Sequence, residues 1–134
     1  IPEDYYVFWG FEDWRLFEMA KEQLIEIADQ EQPFNFTMLT VDTHFPDGYI
    51  CPYCQTEHDT SYANALSCSS RQVAAFVQWI QQQDFYEDTT IIIAGDHLTM
   101  AAEFVEKMPE DAERSTYHVI VNAPIPPVRT ENRV

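Results

Sequence analysis

Basic residues are scarce in this chain: seven Lys and Arg stand against 23 Asp and Glu, a formal net charge of −16 over 134 residues. Such an acidic surface repels phosphate backbones, so nucleic acid is disfavoured as a partner. It equally disfavours docking on anionic lipid through this segment alone, and its direct physical consequence is solubility. No apolar run approaches the roughly 20 residues that a membrane-spanning helix needs, and no stretch has the order of a signal peptide. There is no internal repeat and no second domain, and Gln81-Gln82-Gln83 is too short to count as low complexity.

What is present is a globular composition, 46% hydrophobic and 14% aromatic, enough for one domain around one modest core. The chain opens abruptly on Ile1-Pro2 and stops at Asn132-Arg133-Val134 without a capping element. It therefore reads as a segment of a longer protein, residues 1–134 forming a single partial domain.

Along the chain, the aromatic-rich stretch 1–10 ends at Gly10. Asp13 then suits an N-cap, followed by a helical stripe of Leu16, Phe17, Ala20, Leu24, Ile27 and Ala28 that Pro33 closes. Phe34–Val41 reads as a buried strand, residues 46–60 as a loop, and Tyr62 to Gln83 as a second helix bearing Leu66, Val73, Phe76, Val77 and Ile80. A second strand follows at Ile91–Ala94. Strand, helix, strand is a βαβ unit, which predicts a right-handed crossover and parallel pairing. Ala101–Met108 is a short helix candidate, Tyr117–Val121 a third strand, and Pro124, Pro126 and Pro127 end regular structure. The fold class is α/β with a mostly parallel sheet flanked by helices.

The chemistry gathers at strand ends. Ile91–Ala94 meets Gly95 and delivers Asp96 and His97, which a regular strand would point to opposite faces. Gly95 lets the backbone turn as it leaves the sheet. The carboxyl ends of strands are where open α/β sheets keep their sites. Phe34–Val41 likewise ends in Asp42-Thr43-His44. An aspartate and a histidine together suit a borderline divalent ion such as Mn2+ or Zn2+, although two protein ligands are too few for a tight site. His44 suits a hydrogen bond to an anionic substrate or a proton shuttle; the plainer alternative is a histidine capping the turn before Pro46. The plainer alternative for Asp96 and His97 is an aspartate that caps a turn beside a histidine that packs. His58 and His118 read as structural. Cys51, Cys54 and Cys68 leave three possibilities open: a disulfide with one thiol over, a zinc site completed by His58, or plain thiols.

Three ordered segments, WGFEDWRLF at 9–17, TVDTHFP at 40–46 and DTTIIIAGDH at 88–97, resemble lipoteichoic acid synthases and related phosphoglycerol transferases of the alkaline phosphatase/sulfatase superfamily. The resemblance covers nearly the whole chain. It implies a partial sulfatase-like domain from a membrane-anchored bacterial enzyme whose catalytic domain faces outward. In that chemistry a threonine nucleophile beside a divalent metal, Mn2+ foremost with Mg2+ or Zn2+ as alternatives, attacks phosphatidylglycerol. Glycerol phosphate then passes to an envelope polymer or glycan. The resemblance makes Asp96 and His97 metal ligands and His44 a contact to the substrate phosphate. It gives Trp9 and Gly10 a structural role.

The same resemblance puts the nucleophilic threonine and an acidic metal ligand before Ile1, so the chain alone is expected to be inactive. Thr40, Thr43 and Thr89 fall where the pattern has no nucleophile, and the CPYC loop at 51–54 lies outside the pattern. A sulfatase or phosphoethanolamine transferase is the nearest rival. A non-catalytic α/β interaction module is a rival of another class.

Overall fold

The computed structural model describes residue 2 and residues 4–125. Two helices build the core. Helix α1, Asp13–Ala28, buries Phe17, Ala20 and Leu24, three and four residues apart and hence on one helical face. Helix α2, Ser61–Ile80, buries Phe76 and Ile80 against them, and the Phe17 and Phe76 rings lie 4.9 Å apart. Thr60 caps α2 by accepting the Ala63 amide on its hydroxyl at 3.2 Å, relieving one donor of the open first turn. The cap expected at Asp13 is not formed. Asp13 lies one residue inside the helix, and its carboxylate is used elsewhere.

A single turn of 3-10 helix at Asp84–Asp88 leads into β1, Ile91–Ala94. The short helix α3, Ala102–Val105, and a loop then lead to β2, His118–Val121. Strands β1 and β2 pair antiparallel, Ile91 opposite Val121 and Ile93 opposite Val119. Ile91 and Ile93 are half-buried on the helix side, whereas Ile92 and Ile120 face each other across the ladder with more than half their surface exposed.

The parallel βαβ pairing is where the sequence expectation departs from the structure. Among the described residues the sheet has two strands and both run antiparallel. Phe34–Val41 is not a paired strand. Its burial nonetheless alternates with period two, and Phe34, Phe36 and Met38 pack on the α1–α2 core. The segment thus has a strand's side-chain layout without a ladder, and at its end the amides of Val41 and the following Asp42 bond to the Asp13 side chain of α1. The helix predicted to reach Gln83 ends at Ile80, and the one predicted over Ala101–Met108 is confined to Ala102–Val105. Of the tail prolines, Pro126 and Pro127 lie outside the described residues.

Candidate active site

Strand β1 delivers its polar end through Gly95, whose amide still donates to the Tyr117 carbonyl at 2.8 Å. The chain then turns. The Asp96 Oδ1 accepts the His97 amide at 2.9 Å, which holds the carboxylate against its neighbour. His97 Nδ1 sits 2.8 Å from the Leu98 carbonyl; a carbonyl only accepts, so Nδ1 is the donor there and Nε2 is the nitrogen left for another partner. Asp96 Oδ2 and His97 Nε2 end 3.5 Å apart. An ion bound at about 2.0–2.2 Å by oxygen and nitrogen places two such donors roughly 3–3.5 Å apart, so the pair fits one edge of a divalent cation's shell. Both side chains are more than half exposed, and two donors leave most of that shell to other groups.

His44 stands on the second wall of the same cavity, a space of about 410 Å3 lined also by Thr43, Asp96 and His97. The fold thus brings together all three residues singled out from the sequence. His44 Nδ1 lies 3.0 Å from the Phe45 carbonyl, leaving Nε2 free as in His97. Its ring rests against Trp9 at 4.3 Å and Phe45 at 5.0 Å between centroids. The structural role expected of the WG segment takes this form: its tryptophan packs against the histidine ring.

Beneath His44 lies a buried polar knot that sequence reasoning missed. Asp13 is fully buried, and its Oδ1 accepts the amides of Val41 at 2.8 Å and Asp42 at 3.0 Å. Its Oδ2 accepts the Ser69 hydroxyl at 3.0 Å. One carboxylate thus joins α1, the approach to His44, and α2. Asp42 is also buried, and neither of its carboxylate oxygens has a partner among the described residues. Burial, reinforced by the adjacent Asp13 charge, raises its pKa to about 7. The turn after His44 closes through Gly48, whose amide donates to the His44 carbonyl at 3.0 Å, and through the Tyr49 amide, which donates to the Asp42 carbonyl at 2.8 Å.

Two further contacts frame the cavity. The Tyr62 hydroxyl of α2 lies 2.5 Å from Thr99 Oγ1, and Arg114 Nη2 donates to the Thr99 carbonyl at 2.6 Å. Scattered single polar residues carry no spacing signature, so no periodicity pointed to them.

The cysteines resolve to the disulfide: Cys54 is bonded to Cys68, and Cys51 is a buried free thiol. Cys51 Sγ lies 3.5 Å from Cys54 Sγ and 3.9 Å from Cys68 Sγ. His58 does not join this cluster. Its backbone is held instead by Asn64, which accepts the His58 amide at 2.8 Å and donates to its carbonyl at 2.9 Å. His118 takes a structural contact, 2.6 Å from the Thr116 hydroxyl.

The sequence is similar to known proteins. A family model described as sulfatase matches residues 1–121. Proteins named phosphoglycerol transferase I from Escherichia coli (strain 55989 / EAEC) and from Shigella boydii serotype 18 are each 36% identical over 98 residues. Those alignments cover 69% of this chain and 13% of the relative, so the chain spans about an eighth of the length of the relatives it matches. No solved structure gives a significant match. With the family model spanning nine-tenths of its residues, the chain belongs to the sulfatase family.

Proposed function

We propose that this chain is part of the catalytic domain of a metal-dependent phosphoglycerol transferase. In this reading, glycerol phosphate moves from phosphatidylglycerol to a polymer or glycan of the bacterial cell envelope. The enzyme is held to the membrane by helices outside this chain and faces outward. The observation that carries the reading is the convergence of His44, Asp96 and His97 on one cavity, in a chain whose curated relatives are named phosphoglycerol transferase I.

Asp96 Oδ2 and His97 Nε2 are the metal donors. A divalent cation, Mn2+ foremost and Mg2+ or Zn2+ otherwise, supplies charge that lowers a nucleophile's pKa and offsets the phosphoryl oxygens. The Leu98 carbonyl holds His97 in the tautomer that presents Nε2. His44 Nε2 is the nitrogen left to meet a phosphate oxygen in the cavity and to stabilise charge that grows in the transition state. The Trp9 ring packs against that imidazole. The nucleophile in this reading is a threonine outside this chain, so the 134 residues alone turn over no phosphodiester.

The test uses the full-length protein with labelled phosphatidylglycerol and Mn2+, following diacylglycerol release beside Asp96→Ala and His44→Ala. Metal-dependent release that Asp96→Ala abolishes and His44→Ala lowers about 100-fold or more is the expected result. Release untouched by either substitution would remove these residues from the site. Cleavage of a sulfate ester or of a phosphoethanolamine lipid instead would move the protein to a sister activity. Inactivity on all of these, with no divalent binding, would favour the interaction module.

A further inference from the structure

The chain has few cations, and the described residues include five: Arg15, Lys21, Arg71, Lys107 and Arg114. Arg15 sits 3.6 Å from Glu12, Lys21 2.5 Å from Glu18 and Arg71 3.0 Å from Glu57. Arg114 has no carboxylate within 4 Å among the described residues, and it alone of the five lines the cavity of His44, Asp96 and His97. Its neighbour Glu113 also lines the cavity and does not pair with it.

One corner of its guanidinium is pinned, Nη2 donating to the Thr99 carbonyl at 2.6 Å. Thr99 is in turn tied to α2 through Tyr62. A guanidinium has five N–H donors in a rigid plane, so four remain directed elsewhere. Such a fork suits two oxygens of one phosphate. The electrostatics of the chain make the point sharper. A charge of −16 repels an anionic substrate at long range, so affinity for one depends on positive charge placed locally at the site.

We propose that Arg114 is an anion anchor of this cavity, binding the phosphate of a glycerol-phosphate group through the free edge of its guanidinium. The inference rests on the phosphoglycerol transferase reading for the identity of the anion. Arg114 is a substrate-binding residue here, acting alike on ground and transition states, so its signature lies in KM more than in kcat.

The test uses the full-length protein as wild type, Arg114→Gln, Arg114→Lys and the off-site control Arg71→Gln. Two quantities are read: diacylglycerol release from phosphatidylglycerol, and calorimetric binding of glycerol phosphate without turnover. Arg114→Gln is expected to weaken glycerol-phosphate binding and raise KM about 10- to 100-fold, with kcat within about threefold. Arg114→Lys recovers part of the loss, since it restores the charge and not the fork. Arg71→Gln matches wild type. Unchanged binding in Arg114→Gln overturns the proposal, as does an equal loss in Arg71→Gln, which would mean bulk charge alone. A fall in kcat at constant affinity also overturns it. Wild-type protein that binds glycerol phosphate through Arg114 and releases no diacylglycerol would keep the anchor and refute the transferase reading. Diacylglycerol release indifferent to Arg114 would do the reverse.

Discussion

The indole of Trp9 lies against the imidazole of His44, their centroids 4.3 Å apart and their planes tilted by 38°. Residues 35 positions apart in sequence are thereby brought into ring contact. Aromatic contacts of this kind are worth about 0.5–1.5 kcal/mol. Trp9→Ala should therefore lower diacylglycerol release by about 2- to 12-fold in the full-length protein, and Trp9→Phe by less. Steady-state assays of both variants with unchanged circular dichroism check this; equal activity in all three would deny the ring any positioning role.

Asp42 predicts a pH dependence of stability. Its carboxyl pKa is raised from the ordinary 3.8 to about 7, so the folded state holds the proton more tightly than the unfolded chain does. Its contribution is present in full below pH 3.8 and is lost progressively as pH rises through about 7. Asp42→Asn mimics the protonated form, so it should flatten the melting temperature between pH 4.5 and 7.5 and exceed wild type at pH 8. Parallel thermal melts across that range decide it.

Gly48 closes the turn after His44 with φ at +67°, where a side chain is disfavoured. An added Cβ would also come within 2.5 Å of Ala65 Cβ on α2. Gly48→Ala should cost about 1–3 kcal/mol in denaturant unfolding. The double variant Gly48→Ala/Ala65→Gly relieves the Ala65 contact but keeps the backbone strain and the 3.0 Å approach to the Asp42 carbonyl and adds a helical glycine, so it should recover only part of the lost stability. Full recovery would show that the left-handed conformation carries no cost.

The bridge from the CPYC loop to α2 closes a 14-residue separation, for which chain entropy predicts about 3 kcal/mol. Cys51 stands 3.9 Å from Cys68, ready to replace Cys54. In Cys54→Ser, peptide mapping under non-reducing conditions should therefore find Cys51 joined to Cys68, with most of the stability kept. Cys51→Ser/Cys54→Ser should lose it. A Cys54→Ser protein whose two remaining thiols both react with iodoacetamide once unfolded would contradict this.

The elements that rest on local periodicity were legible in the sequence. The stripe of Phe17, Ala20 and Leu24 announces α1, and the run Ile91–Ala94 announces β1 within a residue. His44, Asp96 and His97 line one cavity as the sequence suggested, but by another route: Asp96 and His97 follow β1, whereas His44 follows an unpaired segment tied to Asp13. Pairing was not legible. Phe34–Val41 has a strand's composition, yet ladder partners are set by tertiary context, and here the amides of Val41 and Asp42 go to Asp13. Asp13 itself looked like a helix cap because a capping aspartate and a buried bridging one are the same letter. The cysteine pairing was undecidable for a similar reason: spacing is compatible with several connectivities, and the fold gathers all three sulfurs and joins Cys54 to Cys68.

Asp13 has a kinetic meaning as well. Its two oxygens hold Ser69, 56 residues away, and the amides of Val41 and Asp42, so the approach to His44 has no private hinge. Freeing those amides means withdrawing a carboxylate from the seam between two helices. Exchange of the Val41 and Asp42 amides is therefore expected to follow withdrawal of that carboxylate, tying the approach to His44 to the contact between the two helices.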